Sequence, residues 1–206
     1  MINRWVTSFV LLGVLMTLCG CQSTQTQAQQ ALTRQLQARQ KAQRQADALY
    51  GQAIKKHEES KFEEALDLLQ KAVQTDTKHL KSWLALGAFE MEQKDYAEAE
   101  KAFREAYEVA PNRHEAQYNL GVLYETVLHY DQAVKAYETA LNVAPNDLHI
   151  IENLARTYIK ADHDLPKAYE LLQKAKPREF REDWRKWLYE QIRALKQRTG
   201  NGDLPA

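Results

Sequence analysis

Cys19 and Cys21 are the only cysteines of the chain. Everything after them therefore holds no disulfide framework, no cysteine-based zinc site and no thiol nucleophile. Two later runs combine imidazole with carboxylate. His57-Glu58-Glu59-Ser60-Lys61 lacks the second histidine, one helical turn on, that a zinc-protease helix needs. Asp162-His163-Asp164 offers three ligand-type side chains, but it reads as a polar inter-helix loop without a partner cluster, so solvated charge is the better reading. No glycine-rich phosphate loop and no nucleophile elbow occurs. These features predict a chain that is not an enzyme and needs no metal or cofactor. A metal or catalytic role for His57 or His163 is the weaker alternative.

The thiols gain meaning from their surroundings. Arg4 precedes a mostly apolar stretch, residues 6–18, too short for the ~20 residues of a spanning helix. The stretch ends in Leu18-Cys19-Gly20-Cys21, which resembles the lipobox of bacterial lipoproteins. The resemblance implies cleavage before Cys21, removal of residues 1–20 and acyl chains on Cys21 as the one covalent addition. An ordinary cleaved signal or an uncleaved anchor is the alternative. Several acyl chains, at ~0.8 kcal/mol per buried methylene, give lasting membrane association. With Gln22 next to the cysteine, resemblance to enteric lipoproteins implies the outer membrane, facing the periplasm.

Among all 206 residues, 28 Lys+Arg balance 28 Asp+Glu, so no overall charge drives the chain onto nucleic acid. Mean hydropathy is -0.63, a folded, water-soluble composition. Only 7 Gly and 5 Pro argue against an all-β protein rich in tight turns. After Cys21, residues 22–45 form a Gln-rich tether without a single acid, its charges being Arg34, Arg39, Lys41 and Arg44. Residues 22–27 are expected to be flexible, and helix is expected from Ala28 onward. Leu32 and Leu36 make a thin apolar stripe. A solvated spacer is the favoured reading, and contact of the basic segment with anionic head groups or the protein's own surface is the alternative.

The rest of the chain repeats itself every 34 residues. Residues 80–113 laid on residues 114–147 match Leu86-Gly87 to Leu120-Gly121, Tyr96 to Tyr130, Ala99 to Ala133, Phe103 to Tyr137, and Ala110-Pro111-Asn112 to Ala144-Pro145-Asn146. Residues 46–79 and residues 148–176 are looser copies, the last with a loop one residue longer near residues 162–166. Each copy reads as helix-turn-helix. A small residue in the first helix (Ala53, Gly87, Gly121, Ala155) and one in the second (Ala65, Ala99, Ala133, Ala168) let the two approach closely. Phe62, Tyr96 and Tyr130 fill the turn, and Pro111 and Pro145 end their helices. One such pair cannot bury both faces, so stacking must supply the core. Residues 177–198 then read as a capping helix with Phe180, Trp184, Trp187, Leu188, Ile192 and Leu195 on its core face. The two tryptophans are read as packing rather than as a ligand site. Residues 199–206 should fray.

This pattern resembles the tetratricopeptide repeat family over residues 46–176. The resemblance implies an all-α, right-handed superhelical solenoid of about four helix-turn-helix repeats plus the cap. Glu90 departs from it, standing where Tyr124 and Tyr158 stand in later copies; so do Gln52 and Thr77, which suggest a distorted or solvent-facing first unit. The family lines its concave surface with first helices. Here that places Asp47, Tyr50, Ile54, His57 and Glu58, then Lys81, Leu84, Ala88, Met91 and Glu92, in the groove. Glu115, Tyr118, Asn119, Val122 and Glu125 follow from the third unit, and His149, Glu152, Asn153, Arg156 and Lys160 from the fourth.

Tyr50, Ile54, Leu84, Ala88, Met91, Tyr118 and Val122 would make an apolar strip, with Asn119, Glu152 and Arg156 completing the candidate site. Such a strip suits an amphipathic helix or an extended apolar peptide. The Lys, Asn and Arg set with which chaperone-binding members hold a C-terminal carboxylate is not matched. The expected function is a membrane-anchored, non-enzymatic adaptor or scaffold in envelope, secretion or pilus assembly, with a protein partner in the groove and no nucleic acid. The alternative is a self-associating structural lipoprotein whose groove is filled by its own tether or by another copy.

Overall fold

In the structure, a computed structural model, the backbone is described for residues 3–179 and 181–199 and the side chains for residues 26–179 and 181–198. The side chains of the lipobox, Phe180 of the expected cap face and residues 200–206 of the expected frayed tail lie outside these.

Nine α-helices and no strand occur among the described residues. They are α1 (Asn3–Glu58), α2 (Phe62–Thr75), α3 (Leu80–Glu92), α4 (Tyr96–Val109), α5 (Glu115–Thr126), α6 (Tyr130–Val143), α7 (Leu148–Lys160), α8 (Leu165–Ala175) and α9 (Glu182–Thr199), with a 3-10 turn, Lys176–Arg178, before the last. Each helix packs mainly on its sequence neighbours, with lighter contact between the first helices of adjacent units, α1 with α3 and α3 with α5. That nearest-neighbour pattern is an all-α solenoid.

The pairs close on one recurring contact. In the inner two units an aromatic ring of the second helix lies on a glycine of the first. A Cβ on Gly87 would stand 2.5 Å from Phe103 Cε1, and one on Gly121 would stand 2.5 Å from Tyr137 Cδ1. In the outer two units the same places hold Ala53 with Leu69 and Ala155 with Leu172, all fully buried. A smaller side chain on the second helix leaves room for a methyl on the first, so the pair volume is conserved as close packing demands.

The turns repeat too. Ser60, Lys94, Leu128 and Asp162, spaced by 34, all have left-handed backbone, with φ of 61°, 66°, 62° and 52°. The residue after each returns its N–H to the carbonyl five back: Lys61 to Lys56, Asp95 to Glu90, His129 to Tyr124 and His163 to Tyr158. This pattern satisfies carbonyls that a helix end would otherwise strand, without the usual glycine. The last of these loops carries a second left-handed residue, Asp164, whose side chain caps α8 by accepting from Lys167 N–H.

Adjacent units are also joined by tyrosine. Tyr124 donates to Glu100 and Tyr158 to Glu138, each at 2.7 Å. The corresponding residue one unit earlier, Glu90, is buried, and burial, with Asp95 and Glu98 nearby, pushes its carboxyl up. Gln52 is exposed, as a solvent-facing first unit requires.

Two expectations change. Residues 22–27 of the tether, expected to be a flexible lead-in to the helix, are themselves helical, α1 running through them unbroken. No Pro or Gly interrupts residues 22–50, and once a packed segment has nucleated a helix each further residue adds a bond. Of the two tryptophans only Trp184 stays away from the core; Trp187, half-buried, packs against its edge. Leu188, Ile192 and Leu195 occupy the core face of α9, while Trp184 and Trp187 are only half-buried. Trp184 stands in the first turn of α9 and meets arginines instead of the aliphatic core.

The concave groove as a candidate binding site

The inner face begins apolar. Tyr50 and Ile54 on α1, and Leu84, Ala88 and Met91 on α3, are half-buried, each resting on the core and showing its remaining surface outward. Val122 on α5 continues them. Histidines pin the two helices at this end. The buried His79 ring lies 2.6 Å from Ser82 Oγ and 3.1 Å from Asp47 Oδ1, and meets Tyr50 edge-on. His57 stacks on Phe89 with centroids 4.0 Å apart, and its Nε2 is 2.6 Å from Glu92. These contacts give His57 a structural use. Asp162 pairs with Arg198 and His163 stacks on Tyr158.

Farther along, the same face becomes a polar lattice. Asn153 donates to the Tyr118 hydroxyl at 3.0 Å, and Arg156 donates to Asn153 at 2.7 Å. Glu125, with 10% of its side chain exposed, accepts from Lys160 at 2.7 Å, from Arg156 at 3.2 Å and from the Tyr137 hydroxyl at 3.2 Å. Burial pushes the Glu125 carboxyl up, but the bonds from Lys160 and Arg156 outweigh it and hold the group below its usual range. Burial, with Glu125 alongside, raises the Tyr137 hydroxyl strongly. Asn119 is half-buried between the two regions.

Glu152 is not offered to a partner. It is 1% exposed, and Arg181 holds it with bonds of 2.9 and 2.7 Å while also bonding Glu179, itself 4% exposed. Burial raises the Glu152 carboxyl to about 7, the neighbouring Glu179 adding to the push and Arg181 opposing it. Arg181 holds the Glu179 carboxyl low. Beyond them, Arg156, Asp183, Trp184 and Trp187 line a shallow cleft of about 240 Å³. Arg181 and Arg156 lie 5.0 and 5.9 Å from the Trp184 ring centre, and the two indoles meet edge-to-face at 5.3 Å.

Ten groove positions were read from the sequence. The structure sets Tyr50, Ile54, Leu84, Ala88, Met91 and Val122 along the apolar half and Tyr118 and Arg156 in the lattice. Asn119 lies between, and Glu152 is buried. Arg181 and Glu179 were missed, because the linker that carries them belongs to no repeat. The Glu125 pairs had a faint signal: opposite charges 31 and 35 residues apart on successive inner helices. The arm does not lie in the groove, since Leu32 and Leu36 are 56% and 50% exposed. Among the described residues no group of three His, Cys, Asp or Glu is placed to hold a metal ion.

Comparison with known proteins agrees with this fold. The Tetratricopeptide repeat family profile matches residues 79–146. A crystal structure of MamA is 20% identical with a TM-score of 0.62, covering 72% of this chain and 84% of that one. A second MamA structure, from AMB-1, is 18% identical with a TM-score of 0.54, covering 69% and 90%. No curated protein matches the chain. At such identities the likeness is one of fold: the chain is an all-α solenoid of stacked helix pairs, similar to MamA and to tetratricopeptide repeats.

Proposed function

We propose that the chain is a non-enzymatic protein-binding scaffold of the bacterial cell envelope. Lipid on Cys21 holds it at a membrane, by resemblance the outer one, facing the periplasm. Residues 22–45, as a helix, span about 36 Å and carry the repeats away from the surface. The groove then recruits a protein segment for assembly of an envelope, secretion or pilus complex.

One observation carries the binding part of this reading. Half-buried apolar side chains from three successive inner helices, Ile54, Leu84, Ala88, Met91 and Val122 among them, rest on the core and keep outward surface left over. Exposed apolar strips of this kind mark interaction sites, and Tyr and Met suit an irregular partner. An amphipathic helix is the ligand that fits a strip of this width.

The test is photo-crosslinking in the native cells, with the probe at Leu84 and, as control, at the exposed Lys135 of α6. A discrete foreign protein captured from Leu84 alone supports the adaptor. Another copy of the chain captured there supports the self-associating alternative instead. Equal capture from both positions sinks the groove as the site. The anchor is tested separately, with Cys21→Ser expected to move the protein from the membrane to the soluble fraction.

A further inference from the structure

We infer that Glu152, Glu179 and Arg181 form a proton-dependent latch that holds the start of α9 against the inner face of α7 and loosens it as the pH rises.

Two nearly inaccessible carboxyls converge on one guanidinium. Glu152 comes from the middle of α7; Glu179 and Arg181 come from the linker between the 3-10 turn and α9. Arg181 makes two further contacts: its backbone N–H donates to the Glu179 carboxylate at 2.7 Å, and its guanidinium lies over Trp184 in the first turn of α9. The three side chains therefore tie the fourth repeat to the cap.

The charge count decides the behaviour. One cation, its side chain 41% exposed, against one carboxylate and one neutral carboxyl is a balanced cluster, the carboxyl proton lying between two nearly inaccessible acids. Ionising the second acid leaves one buried negative charge without a partner, which the interior tolerates poorly.

Among the described residues, the charged and titratable groups on the neighbouring elements have other partners. Arg156, one turn on along α7, is taken by Glu125 of α5 and by Asn153. Tyr118 of α5 is held by Asn153. Arg178 of the 3-10 turn bonds Asn146, and Asp183 of α9 lies in the indole cleft. Lys174 of α8 bonds the Pro145 carbonyl, while Lys167 of α8 bonds Glu138 of α6.

The sign follows from linkage. Glu152 is raised above its ordinary value, to about 7, so its contribution is full below the ordinary carboxylate value and is lost progressively as pH climbs from there through about 7. Glu179 is lowered, so its contribution is lost only in strong acid and leaves the neutral range to Glu152. A loosened linker takes Arg181 off Trp184 and opens the indole cleft at the end of the groove. The latch does not depend on what the groove binds.

Hydrogen exchange of the full-length protein in detergent, followed by mass spectrometry and corrected for the intrinsic pH dependence of exchange, tests it. At pH 8.5 the amides of α9 should exchange on the order of tenfold faster, relative to those of α5, than at pH 5.5. Glu152→Gln keeps the neutral partner permanently, so α9 should stay protected at both pH values. Glu179→Gln removes the competing acid and should likewise flatten the profile, with Glu152 ionised opposite Arg181. A wild-type ratio that does not change with pH overturns the latch. So does a pH-dependent ratio that survives in either variant. Unchanged α5 exchange confirms that a variant is folded, and either variant alone suffices.

Discussion

The two halves of the concave face are built from the same helix positions, yet they differ in kind. On α1 and α3 those positions hold Tyr50, Ile54, Leu84, Ala88 and Met91, with histidine–carboxylate contacts at the edges. On α5 and α7 they hold Tyr118, Glu125, Asn153 and Arg156, bonded to one another, and Glu152 is sealed under the cap linker. The first half has surface left over; the second has spent its hydrogen bonds internally. A buried polar lattice fixes one arrangement of its helices, because any slip strands a charge. An apolar strip fixes nothing by itself and accepts a guest. The contrast divides the face into a half with apolar surface left over, the docking half of the proposed function, and a bracing half.

The largest expected effect shows what the halves share. Gly121→Leu drives a side chain into the Tyr137 ring, where even a Cβ would stand at 2.5 Å, and should cost about 3 kcal/mol or more of stability. Gly87→Leu, against Phe103 in the docking half, should cost about as much. A calorimetric melting point unchanged in either variant would show that the ring-on-glycine contact does not hold its pair.

Next comes a test of the bracing half alone. Glu125→Gln removes the charge that Lys160 and Arg156 share, at a site where both partners are partly exposed, and should cost about 1–2 kcal/mol at neutral pH. Glu125 is held below its usual range, so its contribution is present above the ordinary carboxylate value and lost as pH falls through its folded value. Denaturant titrations of wild type and variant should therefore converge in acid. A gap that persists there would mean that the lattice acts by shape and not by charge.

Leu84→Glu probes the docking half. Leu84 is only half-buried, so the loss should be about 1 kcal/mol, while partner capture should drop by about tenfold or more if the residue anchors the guest. Lys160→Ala, in the bracing half, should leave capture unchanged. The reverse result would exchange the roles of the two halves.

The smallest effect is a gain. Leu128 is 68% exposed with φ of 62°, so Leu128→Gly should stabilise by about 0.5–1 kcal/mol by releasing left-handed strain. Lys94→Gly, at the matching turn of the docking half, should do about the same. Unequal gains would mean that the two turns carry different tertiary load.

Much of the fold was legible because its contacts are local. Gly87 meets Phe103 and Gly121 meets Tyr137 at a separation of 16 residues, inside one repeat, so the 34-residue period displayed each pair in the sequence itself. Trp184 was misjudged for the opposite reason. A three-four periodicity placed Trp184 on the same stripe as Leu188 and Ile192, but the stripe does not reveal that the first turn of α9 meets Arg156 of α7 and not aliphatic core. The tether was misjudged because Ser and Thr at residues 22–27 were weighed as a separate segment, whereas in a continuous helix the packed end of α1 propagates into them.

The sequence by itself determined an all-α stack with its repeat length and its small-residue contacts, since a repeating unit writes its local packing into every copy. Only the tertiary structure decided which inner residues remain available. Arg156 faces an internal counter-charge because of Glu125, 31 residues away, and Glu152 because of Arg181, in a linker outside the repeat. Electrostatic satisfaction is settled by distance in space, which the periodicity of one chain does not record.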